Sequence, residues 1–224
     1  MTLSRSIYAG KLGEFSEFAF ADVAATRHCG QWRTFFAGRI GEQFDGRVIL
    51  EIGCYNAQFL STIAAAHPHT AFVGLDWKCK QLYNGACHIV DHPIQNVALL
   101  RARAQDIAKM FAPGELDEIW IFHPEPCAEE HELKNRLIAE PFLRDARTAL
   151  RDGGAISLKT DHRDYYEWTL ATAGEIAFHS ADFWNDPVAI GHTKNRAFAG
   201  QITTYEQRFL KRKQPIYFVE ISKR

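Results

Sequence analysis

The sequence lacks the features that mark several large classes of protein. No apolar run approaches the roughly 20 residues that a membrane-spanning helix needs, so we expect no membrane partner. The N-terminal residues lack the apolar core of a signal peptide. The five cysteines are odd in number and irregularly spaced, which favours reduced thiols over a disulfide framework. Together these absences predict a cytoplasmic protein.

A strong positive charge is also missing. The formal net charge is −1 at pH 7, whereas dedicated nucleic-acid-binding proteins are usually basic. Contact with RNA would therefore have to come from a local group of basic residues. We expect no metal site, because Cys79, Cys87, His88 and His92 lie close in sequence without any Cys-x-x-Cys pair. The two cysteines are better explained as small apolar packing residues.

Length and composition indicate one globular domain. The chain has 224 residues, of which 46% are hydrophobic and 24% charged, enough to bury a sizeable core. Residues 1–45 are interpreted as an N-terminal extension leading into a helix, because Trp32, Phe35 and Phe36 have helical spacing. Residues 46–224 form the predicted domain.

The segment from Val48 to Trp77 predicts a strand, a helix and a second strand. Val48–Ile52 is a short apolar run typical of a parallel strand covered on both faces. Gly53 ends it, and Asn56 is the expected N-cap of the helix. The second strand is Ala71–Leu75, closed by Asp76. Asp76 lies 19 residues after Ala57 (76 minus 57), near the spacing at which nucleotide-binding folds place an acid on ribose hydroxyls.

The loop between the first strand and its helix limits the choice of cofactor. It carries Tyr55 and Ala57 where a pyrophosphate-binding loop has glycines. NAD and FAD are therefore not expected. S-adenosylmethionine (SAM) has no phosphate and tolerates such a loop. An ordinary α/β core without a cofactor remains the alternative at this point.

The rest of the chain continues the alternation of strands and helices. The predicted strands are Val97–Leu100, Leu116–Phe122, Ala155–Lys159, Ile176–Phe183 and Pro215–Ile221. The predicted helices are Trp77–Ile89, Asp106–Phe111, His131–Ile138, Phe142–Leu150 and Tyr165–Ala173. Asp152-Gly153-Gly154 is interpreted as a helix stop, and residues 184–202 as a mobile polar loop.

A stiff acidic loop follows the strand Leu116–Phe122. In the run His123-Pro124-Glu125-Pro126, two prolines disfavour both helix and ladder pairing around Glu125. Asp161 follows the next predicted strand. Because ligands bind at the carboxyl ends of strands in open α/β sheets, both acids are candidate site residues.

Four stretches give the chain a resemblance to a known family. They are Leu50-Glu51-Ile52-Gly53; Phe122–Pro126 with Lys134–Ile138; Gly153-Gly154 with Thr160-Asp161; and Thr203–Glu206 with Gln214–Tyr217. The first and third suit most class I SAM-dependent methyltransferases. The second and fourth are more specific and resemble the tRNA (guanine-N7)-methyltransferase family, over about Gly30 to the C-terminus.

This resemblance implies a Rossmann-like α/β fold with a mostly parallel seven-stranded sheet flanked by helices. It implies SAM as cofactor, and a guanosine in the variable loop of tRNA as methyl acceptor. Glu125 stands at the catalytic aspartate position. The implied cofactor-binding residues are Glu51, Gly53, Cys54, Asp76, Trp77, Arg103, Ala104 and His123. The implied substrate-binding residues are Glu129, Arg136, Asp161, Thr203 and Glu206.

The sequence also departs from the family's pattern. Tyr55 and Ala57 replace loop glycines, Arg103 replaces an acidic or amide residue, and Cys127 replaces a tryptophan. The basic run expected to meet tRNA becomes Glu129-Glu130-His131-Glu132, which would repel phosphates. Two alternatives therefore stand beside the tRNA methyltransferase: an enzyme with another substrate, and a non-catalytic binding paralogue. The sequence allows either a monomer or a homodimer.

Overall fold

A computed structural model describes residues 7–179, 188–190 and 203–223 of the chain. The strands are β1 (Ala19–Ala21), β2 (Val48–Ile52), β3 (Ala71–Asp76), β4 (Val97–Arg101), β5 (Leu116–Phe122), β6 (Leu150–Thr160), β7 (Val188–Ile190) and β8 (Tyr217–Ser222). The α-helices are α1 (Ile7–Leu12), α2 (Trp32–Ile40), α3 (Gln58–Ala66), α4 (Cys79–Asp91), α5 (Ile107–Met110), α6 (Glu140–Ala149), α7 (Arg163–His179) and α8 (Thr204–Lys211).

The described strands form one sheet in the order β1-β4-β3-β2-β5-β6-β8-β7. The pairs from β1 to β6 are parallel, and β8 pairs antiparallel with both β6 and β7. The predicted Rossmann-like fold is confirmed. Its sheet gains one edge strand over the predicted seven, because Ala19–Ala21 pairs with β4.

Both faces of the sheet are covered by helices, as the apolar strands predicted. Alternate residues of β5 belong to different apolar clusters: Ile119 and Ile121 pack on one face, with α2, α6 and α7, and Trp120 on the other, with α3 and α4. This covering explains why all five residues of β2 are buried.

The segment before β2 is fixed to this core by one carboxylate. Glu115 accepts hydrogen bonds from the backbone N–H groups of Gly30 (2.8 Å), Trp32 (2.7 Å) and Ala112 (2.9 Å). Trp32 and Phe36 are fully buried, as their spacing predicted. The division into an extension (1–45) and a domain (46–224) stays a prediction.

Two predictions near the C-terminal half of the sheet were wrong. Ile176 was expected to begin a strand, but α7 continues through His179; residues 180–183 lie outside the described part. The predicted loop 184–202 contains an edge strand, Val188–Ile190, and its other residues are likewise outside the description. The antiparallel partner β8 supplies the hydrogen bonds that make this short strand possible.

Three predictions of helix boundaries were also wrong. The segment predicted as a helix from His131 to Ile138 is a 3₁₀ helix, Glu130–Asn135, and the backbone becomes extended at Arg136 (φ −56°, ψ 133°). Asn56 is not the N-cap of α3. Ala57 takes that position, and the side-chain oxygen of Asn56 makes only a long contact of 3.4 Å with the Gln58 nitrogen. Helix α6 ends at Ala149, so Gly153 (φ 75°) lies within the irregular start of β6 instead of at a helix stop.

Among the described residues, no helix combines the length and the apolar character needed to cross a bilayer.

Candidate functional site

The candidate site lies at one edge of the sheet, where five parallel strands end. The predicted residues that meet there are Glu51 and Gly53 at β2, Asp76 and Trp77 at β3, Arg103 and Ala104 after β4, His123 and Glu125 after β5, and Asp161 after β6. Since the carboxyl ends of parallel strands share one edge, the sheet itself assembles residues that lie far apart in sequence.

Glu51 is a buried acid at this edge. Its side chain is 5% exposed, and its Oε2 atom has no hydrogen-bond partner among the residues that the structure describes. Burial, with a smaller contribution from the charge of Asp76, raises the pKa of Glu51 to about 8. A buried carboxyl oxygen without a partner is costly, so this atom marks a place where a ligand donor would fit.

Asp76 organises the two loops beside Glu51. Its Oδ2 accepts the backbone N–H of Tyr55 at 3.0 Å, and its Oδ1 accepts that of Lys78 at 2.8 Å. A carboxylate has about four lone-pair positions, so each oxygen can still accept a ligand hydroxyl. Asp76 thus supports two loops by hydrogen bonds and keeps lone pairs for a ligand. The sequence predicted only the ligand contact.

The loop after β2 has backbone angles typical of glycine at three positions, only one of which is a glycine. Gly53, Tyr55 and Ala57 all have positive φ, at 82°, 53° and 51°. Helix α4 packs closely against this loop: a Cβ added to Gly85 would stand 2.8 Å from the carbonyl oxygen of Asn56. The tyrosine that replaces a glycine does not fill the interior, because its side chain is 43% exposed. Cys54 of the same loop is buried.

We expect Tyr55→Gly to stabilise the protein by about 0.5 kcal/mol, because relief of a steric cost of about 1–2 kcal/mol in the left-handed region exceeds the about 0.5–1 kcal/mol of folding entropy that glycine costs. Thermal unfolding of the purified variant measures the change. Asn56→Gly is the matched control: Asn56 lacks positive φ, so the same substitution one residue later should destabilise. Equal effects of the two substitutions would contradict a strained Tyr55.

Two residues at the outer end of the edge are open to solvent. Trp77 is 61% exposed directly after Asp76, so a large aromatic face is available for stacking. The side chain of Arg103 is exposed, and its carbonyl oxygen accepts the N–H of Asp106 at 3.0 Å. Ala104 beside it is 9% exposed.

Glu125 lies on the loop after β5 and is exposed. The loop begins at His123, whose imidazole Nδ1 donates to Asp161 Oδ1 at 3.2 Å. Burial lowers the pKa of His123, an effect that Asp161 partly opposes. With its proton on Nδ1, the neutral ring leaves Nε2 as an acceptor, and this buried atom lacks a partner within the described ranges.

The predicted substrate residues Thr203 and Glu206 are joined to the sheet by side-chain contacts. The N–H of Glu206 donates to Thr203 Oγ1 at 3.1 Å, and the N–H of Thr203 donates to Glu206 Oε2 at 3.3 Å, a capping box at the start of α8. Lys159 Nζ donates to both carboxylate oxygens of Glu206, at 3.0 and 2.8 Å, and both side chains are buried. Sequence reasoning missed Lys159, although a lysine inside an apolar strand was a signal that it would need a buried partner.

Glu129 and Arg136 differ in their exposure to solvent. Glu129 is exposed at the start of the acidic 3₁₀ helix. Arg136 is 8% exposed, and its Nε donates to the carbonyl oxygen of Pro126 at 3.1 Å. Its guanidinium therefore points toward the protein.

The geometry fits SAM. Glu51 offers a buried, unpartnered carboxyl oxygen suited to the ammonium of the methionine part, and Asp76 on the neighbouring strand retains acceptor capacity for ribose hydroxyls. Trp77 offers an apolar face near Asp76 for an adenine ring. Within the described residues no group of three or more His, Cys, Asp or Glu side chains is arranged to hold a metal ion.

Solved structures share this architecture. "Structure of an Antibiotic Related Methyltransferase" aligns with a TM-score of 0.58 at 18% identity, over 85% of this chain and 92% of that one. The 16S rRNA (adenine(1408)-N(1))-methyltransferase from Catenulisporales acidiphilia aligns with a TM-score of 0.57 at 17% identity, over 85% and 93%. At these identities the likeness concerns the fold.

Sequence comparisons are more specific. The family described as "Putative methyltransferase" matches residues 45–219. The tRNA (guanine-N(7)-)-methyltransferase of Cytophaga hutchinsonii is 30% identical over 187 residues, which are 81% of this chain and 79% of that protein. The protein of the same name from Geobacillus kaustophilus is 28% identical over 210 residues, 94% and 91% of the two chains. The chain therefore belongs to the tRNA (guanine-N7)-methyltransferase family of SAM-dependent methyltransferases.

Proposed function

We propose that this protein transfers the methyl group of SAM to N7 of a guanosine in the variable loop of tRNA. The observation that carries the proposal is the unpartnered Glu51 oxygen beside Asp76, at the same sheet edge as Glu125. The names of the similar proteins supply the acceptor, because they are tRNA (guanine-N(7)-)-methyltransferases at 27–30% identity.

The cofactor would be held by the ends of β2, β3 and β4. Glu51 would pair with the ammonium of the methionine part, Asp76 with the ribose hydroxyls, and Trp77 with a face of the adenine. The loop of Gly53 and Cys54 would line the methionine part through its backbone. Arg103 and Ala104 would border the adenine. His123 would contact the cofactor on the side that faces the acceptor. When bound, SAM supplies an electrophilic methyl group on a sulfonium sulfur.

Methylation of guanine N7 requires few catalytic groups from the protein. Guanine N7 has a free lone pair, so no base is needed to expose the nucleophile. The chain must orient N7 and stabilise the positive charge that develops on the base. The exposed carboxylate of Glu125 meets both needs, and it can also accept hydrogen bonds from guanine N1–H and the exocyclic amine. Adenine lacks the N1–H donor, which gives a basis for discrimination.

Substrate residues on the other elements would act in two ways. Asp161 would act through His123, which it holds by a hydrogen bond. Thr203 and Glu206 would act by fixing the start of α8, since their side chains are occupied with each other and with Lys159.

Exposed basic residues on α8 and the turn after it support the proposal of an RNA-binding surface there. Arg208, Lys211, Arg212 and Lys213 are exposed, and the only acid of α8, Glu206, is buried and paired with Lys159. We call these four residues the α8 basic face. Helix α8 adjoins the site, because the rings of Tyr205 and Phe209 stack on His123, with centroids 6.2 and 5.4 Å away. Local positive charge thus compensates for the acidic segment that begins at Glu129.

We expect the double variant Lys211→Gln, Arg212→Gln to bind tRNA about 10-fold more weakly at low salt, because a phosphate that no cation neutralises keeps its counterions in the complex. The slope of log affinity against log salt should fall by about 1 for each phosphate left without its cation. Filter binding across a salt series measures both. Lys109→Gln with Arg144→Gln removes the same charge from exposed positions on α5 and α6 and serves as control. If the control lowers the slope equally, the α8 basic face is not the RNA surface.

The test of the proposal is methyl transfer. The purified chain is incubated with labelled SAM and with tRNA transcribed without modifications, and the labelled nucleoside is identified by mass spectrometry. We expect N7-methylguanosine at one position in the variable loop. Transfer to a different acceptor would support the alternative of another substrate, and SAM binding without any transfer would contradict the proposal.

A further inference from the structure

The loop that carries Glu125 is bounded by two residues with unfavourable backbone geometry. His123 and Cys127 have φ of 49° and 44°, in the left-handed region. For non-glycine residues this region costs about 1 kcal/mol or more at each position. Such residues persist when surrounding contacts over-determine their geometry. The loop therefore depends on contacts at both ends.

The contacts at the His123 end come from β6 and the residue after it. The N–H of His123 donates to the carbonyl oxygen of Lys159 at 2.8 Å, which extends the pairing of β5 with β6 by one residue. The imidazole donates to Asp161. Backbone and side chain of His123 are thus both fixed.

The contact at the Cys127 end comes from Arg136. Its Nε donates to the carbonyl oxygen of Pro126 at 3.1 Å, so the residue directly after Glu125 is tied to it. The guanidinium carbon lies 5.0 Å from the ring centroid of Trp168 and 5.5 Å from that of Tyr165, both on α7. Stacking of a planar guanidinium on two rings fixes its orientation. Arg136 therefore connects the Glu125 loop to a rigid helix.

This arrangement does not suit a phosphate contact. Arg136 is 8% exposed. Its guanidinium contacts the carbonyl oxygen of Pro126 on the loop side and the rings of Tyr165 and Trp168 on the α7 side. An arginine that binds RNA phosphates presents its donors to solvent. The sequence resemblance implied a substrate-binding role, and the contacts indicate a different one.

We propose that Arg136 is a positioning residue, which holds the Pro124–Pro126 loop so that Glu125 faces the acceptor, and not a residue that contacts RNA. The proposal rests on the proposed function only in the role given to Glu125. It adds a connection from α7 through Arg136 to the acceptor side of the site. The hydrogen bond to the Pro126 carbonyl oxygen uses the Nε–H group of Arg136, and stacking on Tyr165 and Trp168 uses its planar guanidinium. Lysine has neither group.

Steady-state kinetics of Arg136→Lys and Arg136→Met test this role. We expect kcat for methyl transfer to fall by about 10-fold to 100-fold, since a small misplacement of a reacting group has effects of that size. The dissociation constant of SAM, the KM for tRNA and the salt dependence of tRNA binding should stay close to wild type. A fall in the salt slope of about 1 with kcat retained would instead identify a phosphate contact and overturn the proposal. Unchanged kcat in both variants would also overturn it.

Two further measurements separate this role from a loss of folding and from a failure of the proposed function. The stoichiometry of SAM binding counts folded molecules, so kcat is expressed per binding site. Hydrogen exchange at the backbone amides of His123 and Glu132, which flank the loop and donate to the carbonyl oxygens of Lys159 and Glu129 at 2.8 Å each, should accelerate in Arg136→Met, and this readout needs no methyl acceptor. Arg144→Met, an exposed arginine on α6, is the control and should leave exchange in the loop unchanged. If exchange at these amides is unchanged in Arg136→Met as well, the loop is not held by Arg136.

Discussion

Methyl transfer to tRNA should fall about 100-fold in Glu125→Gln, the size of effect seen when one charge-stabilising group is removed from an active site. Glutamine has nearly the same shape as glutamate but no negative charge, so the positive charge that develops on guanine loses its counter-charge. Because Glu125 is exposed on its loop, the substitution should not disturb folding or the affinity for SAM. Single-turnover assays with saturating SAM measure the chemical step directly.

Two companion variants make this result specific. Glu125→Asp keeps the charge on a side chain one methylene shorter, so we expect a much smaller loss than in Glu125→Gln. Glu140→Gln removes an exposed acid on α6 and should leave the rate unchanged. A Glu125→Gln enzyme as fast as wild type would show that the carboxylate takes no part in the chemistry.

In Glu51→Gln we expect stability and cofactor affinity to change in opposite directions. The pKa of Glu51 is raised from 4.5 to about 8 by burial. Between those values the unfolded chain has lost the proton that the folded chain retains, so the free energy of unfolding falls as pH rises. Glutamine cannot ionise and avoids this loss. The variant should therefore match wild type near pH 4.5 and become the more stable protein as the pH approaches 8.

The affinity for SAM should fall in the same variant, because glutamine offers the ligand ammonium no charge. A buried hydrogen bond to a charged group contributes about 1.5–3 kcal/mol, so the loss should be about 10-fold to 100-fold. In wild type the ammonium favours ionised Glu51, so binding below pH 8 should release a proton. Calorimetry in buffers with different ionisation enthalpies measures that release. A Glu51→Gln protein that binds SAM as tightly as wild type would exclude this contact.

Much of the fold could be predicted because apolar runs report burial. The run Val48–Ile52 and the strand Leu116–Phe122 have the predicted bounds. Helix boundaries were harder, because side-chain chemistry favoured caps that the tertiary structure does not use. Asn56 is a good N-cap by residue type, yet packing of α4 against the loop leaves Ala57 in that position.

The site was predictable where a strand delivers a residue to the sheet edge, as for Glu51 and Asp76. It was not predictable where a role depends on partners distant in sequence. Lys159 and Glu206 are separated by 47 positions, and no local pattern indicates their pairing. Arg136 is similar: a basic residue in a polar segment suggests a surface, and only the positions of Tyr165 and Trp168 reveal its burial.

Departures from the family's residues have different structural consequences. Tyr55 and Ala57 have the left-handed backbone that glycine adopts most easily, so the loop takes this shape at an energetic cost. The acidic residues from Glu129 onward make this surface negative, and in the proposed function RNA would approach the α8 basic face instead. Neither departure removes the acids at the ends of β2 and β3.

Calorimetric titration of the wild-type chain with SAM tests most directly whether the carboxyl edge of this sheet holds the cofactor. We expect saturable binding at one site per chain, weakened in Glu51→Gln. No detectable binding at millimolar SAM would contradict the account.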